Sequence, residues 1–351
     1  MTIVAQTFDH VVGVDTHART HTYCIIEAPT GLVTLYHQFD TTPKALARAI
    51  NWIKHHTSGR TLVAIEGTGC YGADLARRLE QAGIEVCEVQ PPKRAQRRAR
   101  GKSDLVDAEA AARSALAVHT SQLAQVRASG IRAALSVLIT ARQLVSRQHS
   151  ANINALTGLL RRVDLGFDAR RALTSCQIKQ VASWRAHRSD TVEQAYGRLE
   201  ASRLAKTIIQ ADRELVANKT RLTSLVNQLA PGLVDEPGFG PVTCAQILVA
   251  YSHHGRFSSE AGFAGLAGVN PLPASSGNTV RYRLNRGGDR QLNHALDTII
   301  KTRLRCHPET MAYLDKRTKQ GLTYRETKRL LKRYLARHIY RVLQKYDTLT
   351  P

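Results

Sequence analysis

The sequence has no apolar run that approaches the roughly 18–20 residues of a membrane-spanning helix. Its N-terminus lacks the cationic segment, apolar stretch and cleavage site of a secretory signal. The six cysteines are far apart and form no CxxC pair, which argues against a disulfide framework and against a zinc site. From these absences we expect a cytoplasmic protein with reduced thiols and no membrane contact.

Aromatic residues make up only 5% of the chain, so base stacking is not the expected mode of nucleic-acid binding. Positive charge is scarce at the start, where residues 1–90 hold 7 Lys/Arg against 9 Asp/Glu. Residues 91–351 hold 43 against 19, which brings the formal net charge of the chain to +22. This asymmetry predicts a nucleic-acid binder that contacts phosphates through Lys and Arg. The best local basic patch is the loop 92–102, PKRAQRRARGK.

The order of strand-like and helix-like segments divides the 351 residues into three parts. Residues 10–90 alternate strand-like and helix-like segments, and a helix with Ser103 as its expected N-cap follows, so that the order is β-β-β-α-β-α-β-α. Thr42 and Pro43 open the first of these helices. This pattern predicts an α/β layer with an antiparallel start. Residues 127–230 contain no proline and almost no strand signal, and the remainder is mostly helical. We therefore expect domains at residues 1–126, 127–230 and 231–351.

The middle part carries an apolar seam with alternating steps of four and three residues. Such a repeat, sustained for over three heptads, favours a coiled coil, with residues 131–160 as the partner helix of a long hairpin. An ordinary helical bundle is the alternative. An asparagine in the seam has the chemistry to set register or oligomeric state. The seam residues are Leu204, Ile208, Ala211, Leu215, Asn218, Leu222, Leu225 and Leu229.

Four carboxylates stand where an α/β fold places an active site. Acids that end parallel neighbouring strands meet at the carboxyl edge of a sheet, and acids at i and i+3 share one helix face. Clustered carboxylate oxygens select Mg²⁺, with Mn²⁺ as a substitute. A strand Asp, a strand Glu about 50 residues on, and a helical D-x-x-D after about 40 more match a ribonuclease-H-like nuclease site. The four, predicted to be catalytic and metal-binding, are Asp15, Glu66, Asp104 and Asp107.

Three further features are less specific. His17 and His21 follow Asp15 on an expected polar loop, where a solvated or supporting role is favoured over metal ligation. Ser275 and Ser276 precede a glycine in an arginine-rich loop, and such a hydroxyl has the chemistry to attack a phosphodiester. Residues 236–241, EPGFGP, are similar to a helix-hairpin-helix turn that brings backbone N–H groups to a DNA phosphate.

Together these features resemble the bacterial insertion-sequence transposases that combine an N-terminal DEDD domain, related to RuvC-type resolvases, with a C-terminal serine domain. The resemblance runs nearly end to end, with both signatures in the family's order. Its segments are VVGVDTHARTHT, AIEGTGCYG, KRAQRRARGKSDLVDAEAAA, EPGFGPVTCAQILV and FAGLAGVNPLPASSGNTVRYRLNRGGDRQLNHAL.

The resemblance implies a RuvC-like, ribonuclease-H-like fold for residues 1–126, a coiled-coil hairpin, and a mainly α-helical serine transposase domain. It assigns Asp15, Glu66, Asp104 and Asp107 to the metal site and Ser276 to the nucleophile, with Ser275 as the alternative. It also implies the element ends and target DNA as substrates, a non-coding bridge RNA as guide, and a dimer to tetramer that acts on the bacterial nucleoid.

These features predict a DNA recombinase that excises and inserts its own element through Mg²⁺-assisted serine attack. One alternative is a structure-specific endonuclease that uses the same acids with water as nucleophile. The second alternative is a nucleic-acid-binding protein without catalysis, whose carboxylates are structural.

Overall fold

In a computed structural model the chain divides into two compact units, one of residues 1–133 with 247–351 and one of residues 134–246. None of the helices in the described part of the chain is both long and apolar enough to span a membrane. The structure describes residues 2–89, 103–124, 126, 130–252, 256–257, 259–274 and 282–347.

The N-terminal part forms a five-stranded mixed sheet with the order β3-β2-β1-β4-β5. Strands β1, β2 and β3 pair antiparallel, whereas β4 is parallel to both β1 and β5. The predicted α/β layer with an antiparallel start is therefore confirmed. Its elements are α1 (Val4–Thr7), β1 (His10–Thr16), β2 (Thr20–Glu27), β3 (Val33–Asp40), α2 (Pro43–His56), β4 (Thr61–Glu66), α3 (Ala73–Gln81), β5 (Glu85–Val89) and α4 (Asp104–Leu116).

Alternate residues of the central strands point to opposite faces, and each face has its own helical cover. Val12 and Val14 of β1 pack with helices α2 and α3 on one face. Val11 packs on the other face with Ala108 and Ala112 of α4. Each fully buried aliphatic side chain contributes about 1.5–3 kcal/mol to folding. The two apolar layers therefore fix the sheet between its helices and leave its carboxyl edge free for polar residues.

Helix α4 lies unusually close to β1 because glycine occupies position 13. An added Cβ there would lie 2.0 Å from the carbonyl oxygen of Ala108 and 2.4 Å from the nitrogen of Ala112. The helix presents alanines to the sheet, and Ala108, Ala112 and Ala115 are all buried. This close approach brings the N-terminal turn of α4, with its two aspartates, to the end of β1.

The second unit is helical, as expected from its lack of strand signals. Its long helices α5 and α7 run antiparallel. Leu138 of α5 contacts Asn218 of α7, whereas His149, later in α5, contacts Asp212, which is earlier in α7. Of the predicted seam, Leu215, Leu225 and Leu229 are only half-buried, and Val226 is buried in place of Leu225. The coiled coil itself stays a prediction. The helices are α5 (Gly130–Arg162), α6 (Ser175–Ala182) and α7 (Val192–Leu229).

The C-terminal part is mainly helical, as predicted, with one short hairpin of two antiparallel strands. Its core contains an aromatic group in which Phe263 and Tyr251 pack against Tyr340. Gly238, in the turn predicted to resemble a helix-hairpin-helix, adopts a φ of 80°, which favours glycine. The elements are α8 (Pro241–Tyr251), α9 (Glu260–Leu266), β6 (Pro271–Pro273), β7 (Tyr282–Leu284), α10 (Arg290–Cys306), α11 (Pro308–Lys319) and α12 (Tyr324–Asp347).

Candidate metal centre

Asp15 lies at the penultimate position of β1 and is only 6% exposed. It points to the α4 face of the sheet, two residues after Gly13, because side chains on one face recur every second residue. The opposite residue on β2 is Thr22, which is also buried. The strand therefore delivers one carboxylate into the space between the sheet edge and the start of α4.

Glu66 ends β4, the parallel neighbour of β1. Val14 stands beside Ile65 in this pairing, so Asp15 and Glu66 follow side by side at the carboxyl edge. Leu62 and Ala64 belong to the core under α4, which places Glu66 on the same face as Asp15. A hydrogen bond of 2.7 Å from the hydroxyl of Thr16 to the carbonyl oxygen of Glu66 ties the two strand ends together.

Asp104 and Asp107 lie in the first turn of α4, where carboxylates stabilise the positive end of the helix dipole. Ser103 occupies the expected N-cap position with extended backbone angles, but its hydroxyl makes no capping hydrogen bond. Nε2 of His17 lies 3.1 Å from Oδ2 of Asp15 and 3.5 Å from Oδ1 of Asp104. The end of β1 and the start of α4 thus meet around this imidazole.

The electrostatics of Asp15 reflect this crowding. Burial raises the pKa of Asp15, the charge of His17 lowers it, and the charges of Asp107 and Asp104 raise it further, so that the net direction is upward. Oδ2 of Asp15 is fully buried, and the side chain of His17, 3.1 Å away, lowers the pKa of Asp15 as a hydrogen-bonding partner although the contact is poorly aligned. A buried carboxylate oxygen without a well-aligned hydrogen bond is costly unless a cation compensates it.

The structure corrects the expectation of an exposed loop for one of the two histidines. His21 lies in β2 and is buried, rather than on an exposed polar loop, and Nδ1 lies 3.1 Å from the carbonyl oxygen of Thr20. Burial lowers the pKa of His21. His17 follows β1 as expected, and it contacts two of the predicted acids. The only sequence signal for the contact with Asp15 is the D-T-H spacing after a buried strand.

The donor set fits a divalent cation. Asp15, His17 and Asp104 each offer one ligand atom, and these atoms lie within 4.8 Å of one another. Asp107 acts on Asp15 through its charge, and Glu66 adjoins Asp15 through the strand register. The structure therefore brings the four predicted acids to one edge of the sheet, while their catalytic and metal-binding roles stay predictions.

Two predicted features lie outside the described residues. Ser275 and Ser276 belong to the segment that joins β6 to β7, and the basic loop 92–102 precedes α4. The residues on either side of the serine segment are held by hydrogen bonds. Nδ2 of Asn285 donates to the carbonyl oxygen of Gly265 and to Oδ1 of Asn270, at 3.1 and 2.7 Å. Asp289 caps α10 through its carboxylate.

Comparison with known proteins finds transposase family models that match the N-terminal and the C-terminal part of the chain. Residues 12–164, which contain all four acids, match a family model for DEDD transposases of the IS110 type, described as transposase. Residues 233–315, which contain both serines, match the transposase IS116/IS110/IS902 family. The insertion element IS110 uncharacterized 43.6 kDa protein of Streptomyces coelicolor is 28% identical over 124 residues, covering 34% of this chain and 31% of that protein. With two models of one family matched in order, the chain belongs to the IS110-type family of DEDD transposases.

Proposed function

We propose that the protein is a DNA transposase that excises and inserts an insertion sequence. The observation that carries this proposal is the convergence of Asp15 and Asp104 around His17, with Asp107 and Glu66 at the same edge, in a chain of the IS110-type family. The strand order β3-β2-β1-β4-β5 supports a ribonuclease-H-like, RuvC-like fold for the domain that holds these acids. The basic remainder supports DNA as the partner.

The four acids would hold Mg²⁺, or Mn²⁺ in its place, because carboxylate oxygens are the ligands these ions prefer. Bound divalent ions stabilise the attacking and leaving oxygens of a phosphate displacement. The protein's own contribution is to hold the carboxylates in position: Gly13 admits α4 to the sheet, and the bond from Thr16 to Glu66 fixes the ends of β1 and β4.

Ser276 is the proposed nucleophile, with Ser275 as the alternative. Its Oγ forms a bond to phosphorus while the bond from phosphorus to a DNA sugar oxygen breaks, and the sugar oxygen leaves as a hydroxyl once it takes up a proton. The phosphoserine ester conserves the energy of the broken bond. Strand rejoining therefore needs no ATP.

Two partners complete the proposal, and both rest on the family. A bridge RNA would select the DNA by base pairing, as in other guided systems, so that sequence specificity lies outside this chain. A homo-oligomer, from dimer to tetramer, would bring the acids of one subunit to the serine of another. The long antiparallel pair α5 and α7 is an element suited to joining subunits.

The test is the formation of a covalent DNA–protein adduct with labelled element ends, Mg²⁺ and RNA transcribed from the flanking DNA. We expect the adduct to disappear in Ser276→Ala and in Asp15→Asn and to persist in Ser58→Ala, whose hydroxyl lies on an exposed loop. If Ser275 can act as nucleophile when Ser276 is absent, the adduct disappears only in the double variant Ser275→Ala, Ser276→Ala.

The rivals give different results in the same assay. Free cut ends without an adduct, in wild type and double variant alike, would support the endonuclease with water as nucleophile. No adduct and no cut ends in any of the proteins, with DNA bound equally by the wild type and Asp15→Asn, would support a nucleic-acid-binding protein whose carboxylates are structural. Either result overturns the serine recombinase.

A further inference from the structure

The backbone of His17 is fixed beside the acidic edge, by which we mean the carboxyl edge of the sheet with the four predicted acids. The backbone N–H of His17 donates to the carbonyl oxygen of Thr20 at 3.0 Å, which closes the turn between β1 and β2. The side chain is 47% exposed, so its packing does not account for its orientation. One ring nitrogen faces the carboxylates of two different elements, Asp15 on β1 and Asp104 on α4.

The spacing of these atoms is that of ligands around one ion. Neighbouring ligands of an octahedral ion with bonds of about 2.0–2.1 Å lie about 3 Å apart. Nε2 of His17 lies 3.1 Å from Oδ2 of Asp15 and 3.5 Å from Oδ1 of Asp104. A single ring N–H can align with only one acceptor, yet Nε2 of His17 lies within 3.5 Å of carboxylates from two elements, and Oδ2 of Asp15 is fully buried. The arrangement therefore fits a shared ion better than a pairing of His17 with Asp15 alone.

From this geometry we propose that His17 is a ligand of the divalent metal, so that the site combines carboxylate oxygens with one imidazole nitrogen. The inference rests on the metal-dependent function proposed above and adds a residue outside the four acids. Its consequence is metal preference. Imidazole nitrogen favours transition-metal ions, whereas an all-oxygen site suits Mg²⁺. The ratio of Mn²⁺ affinity to Mg²⁺ affinity is therefore larger with His17 present than with the carboxylates alone.

The experiment uses the full-length protein with Mn²⁺ as the probe. Mn²⁺ affinity is measured by electron paramagnetic resonance, and Mg²⁺ affinity by its competition with Mn²⁺. Pulsed measurements on bound Mn²⁺ detect coupling to a directly coordinated nitrogen. The variants are His17→Asn and, as a matched control, His55→Asn, whose imidazole is exposed on α2 and contacts His56.

In His17→Asn we expect the nitrogen coupling to vanish and the Mn²⁺ affinity to fall about tenfold, in line with the cost of disturbing a metal site. Mg²⁺ affinity falls much less, so the preference for Mn²⁺ narrows. His55→Asn retains both the coupling and the affinities. Circular dichroism verifies that His17→Asn is folded, as its exposure leads us to expect.

Absence of nitrogen coupling in the wild type overturns the proposal, as does coupling or an unchanged Mn²⁺ preference in His17→Asn. A failure of the proposed function looks different. If Asp15→Asn binds Mn²⁺ as tightly as the wild type, the acids are not the metal site at all. If Asp15→Asn loses Mn²⁺ while His17→Asn is unaffected, only the role of His17 is wrong.

Discussion

At the scale of single residues, Gly13 sets how closely helix α4 approaches strand β1. We expect Gly13→Ala to destabilise the protein by about 1–3 kcal/mol, the usual cost of overpacking, because its Cβ would meet backbone atoms that cannot rotate away. An added Cβ would also push α4 away from β1 and so carry Asp104 and Asp107 away from Asp15. Urea unfolding measures the first effect, and Mn²⁺ binding measures the second.

Gly158 provides the matched control for this substitution. It lies on an exposed face of α5 with no atom within 4 Å of an added Cβ. Alanine there should stabilise the helix by about 0.5–1 kcal/mol and leave metal binding unchanged. If Gly13→Ala behaves like Gly158→Ala in both measurements, the close approach of α4 is not what assembles the acidic edge.

Asp297 on α10 illustrates a carboxylate whose charge is useful to the fold. Burial alone would raise the pKa of Asp297, but hydrogen bonds from Lys301 and Lys328 and the charge of Lys332 lower it to about 2. The ammonium groups of these lysines lie 3.0–3.3 Å from its oxygens. Because the pKa is lower in the folded than in the unfolded chain, the charged form stabilises the fold above about pH 4.

The corresponding prediction concerns Asp297→Asn. At pH 7 the variant should be less stable than the wild type by at most about 2 kcal/mol. The difference should shrink as the pH falls below about 4 and vanish below about 2, where the wild-type carboxyl is uncharged like the amide of the variant. Urea unfolding from pH 3 to pH 7 measures it. A difference that is constant over this range would show that shape, not charge, is what Asp297 provides.

At the scale of elements, local chemistry predicted most of the N-terminal fold. Thr42 caps α2 and Pro43 begins it, and the acids near the ends of β1 and β4 lie at the same edge because neighbouring parallel strands share a carboxyl edge. The contact of His17 with Asp104 joins residues far apart in sequence, so no local pattern signals it. Burial of Val226 rather than Leu225 likewise depends on the path of the partner helix.

The same limit applies to the pair α5 and α7. The seam predicted Asn218 as a register residue, but its partner was not evident from sequence. The guanidinium of Arg142 on α5 donates to the carbonyl oxygen of Leu215 at 2.8 Å and reaches Oδ1 of Asn218 at 3.4 Å. Nδ2 of Asn218 donates in return to the carbonyl oxygen of Leu138. Polar bonds within an apolar seam specify one alignment of two helices.

A double-mutant cycle tests this register device. Asn218→Leu leaves the guanidinium of Arg142 with the carbonyl oxygen of Leu215 alone, and Arg142→Leu leaves Oδ1 of the buried Asn218 without this donor. Each substitution should cost about 1–3 kcal/mol. The double variant should lose less than the sum, because replacing both partners by apolar groups removes the unsatisfied atoms. Chemical denaturation measures all four proteins. Additive losses would contradict a coupled pair and assign the stability to the surrounding leucines.

At the scale of the whole molecule, charge separates two tasks. The first 90 residues carry a slight excess of acid and supply Asp15 and Glu66, where a divalent cation would be the main counter-charge. The remaining residues hold 43 Lys/Arg against 19 acids. A polyanion would therefore be attracted to the residues beyond 90, while the carboxyl edge with its acids would be left to the proposed metal.

The loop 92–102 carries six Lys/Arg between these two regions of the sequence, directly before the helix that bears Asp104. Neutralising four of the six should weaken DNA binding and flatten its salt dependence by about 0.9 in the log–log slope for each phosphate that the loop no longer neutralises. The control replaces four exposed cations of the first 90 residues, Lys44, Arg48, Lys54 and Arg77, by glutamine. Both variants lack four positive charges of the wild type, so a purely global effect of net charge would change the two slopes equally. If the loop contacts phosphates, the salt-dependence slope falls more in the loop variant than in the control variant. An unchanged slope in the loop variant would show that the loop is not part of the DNA interface.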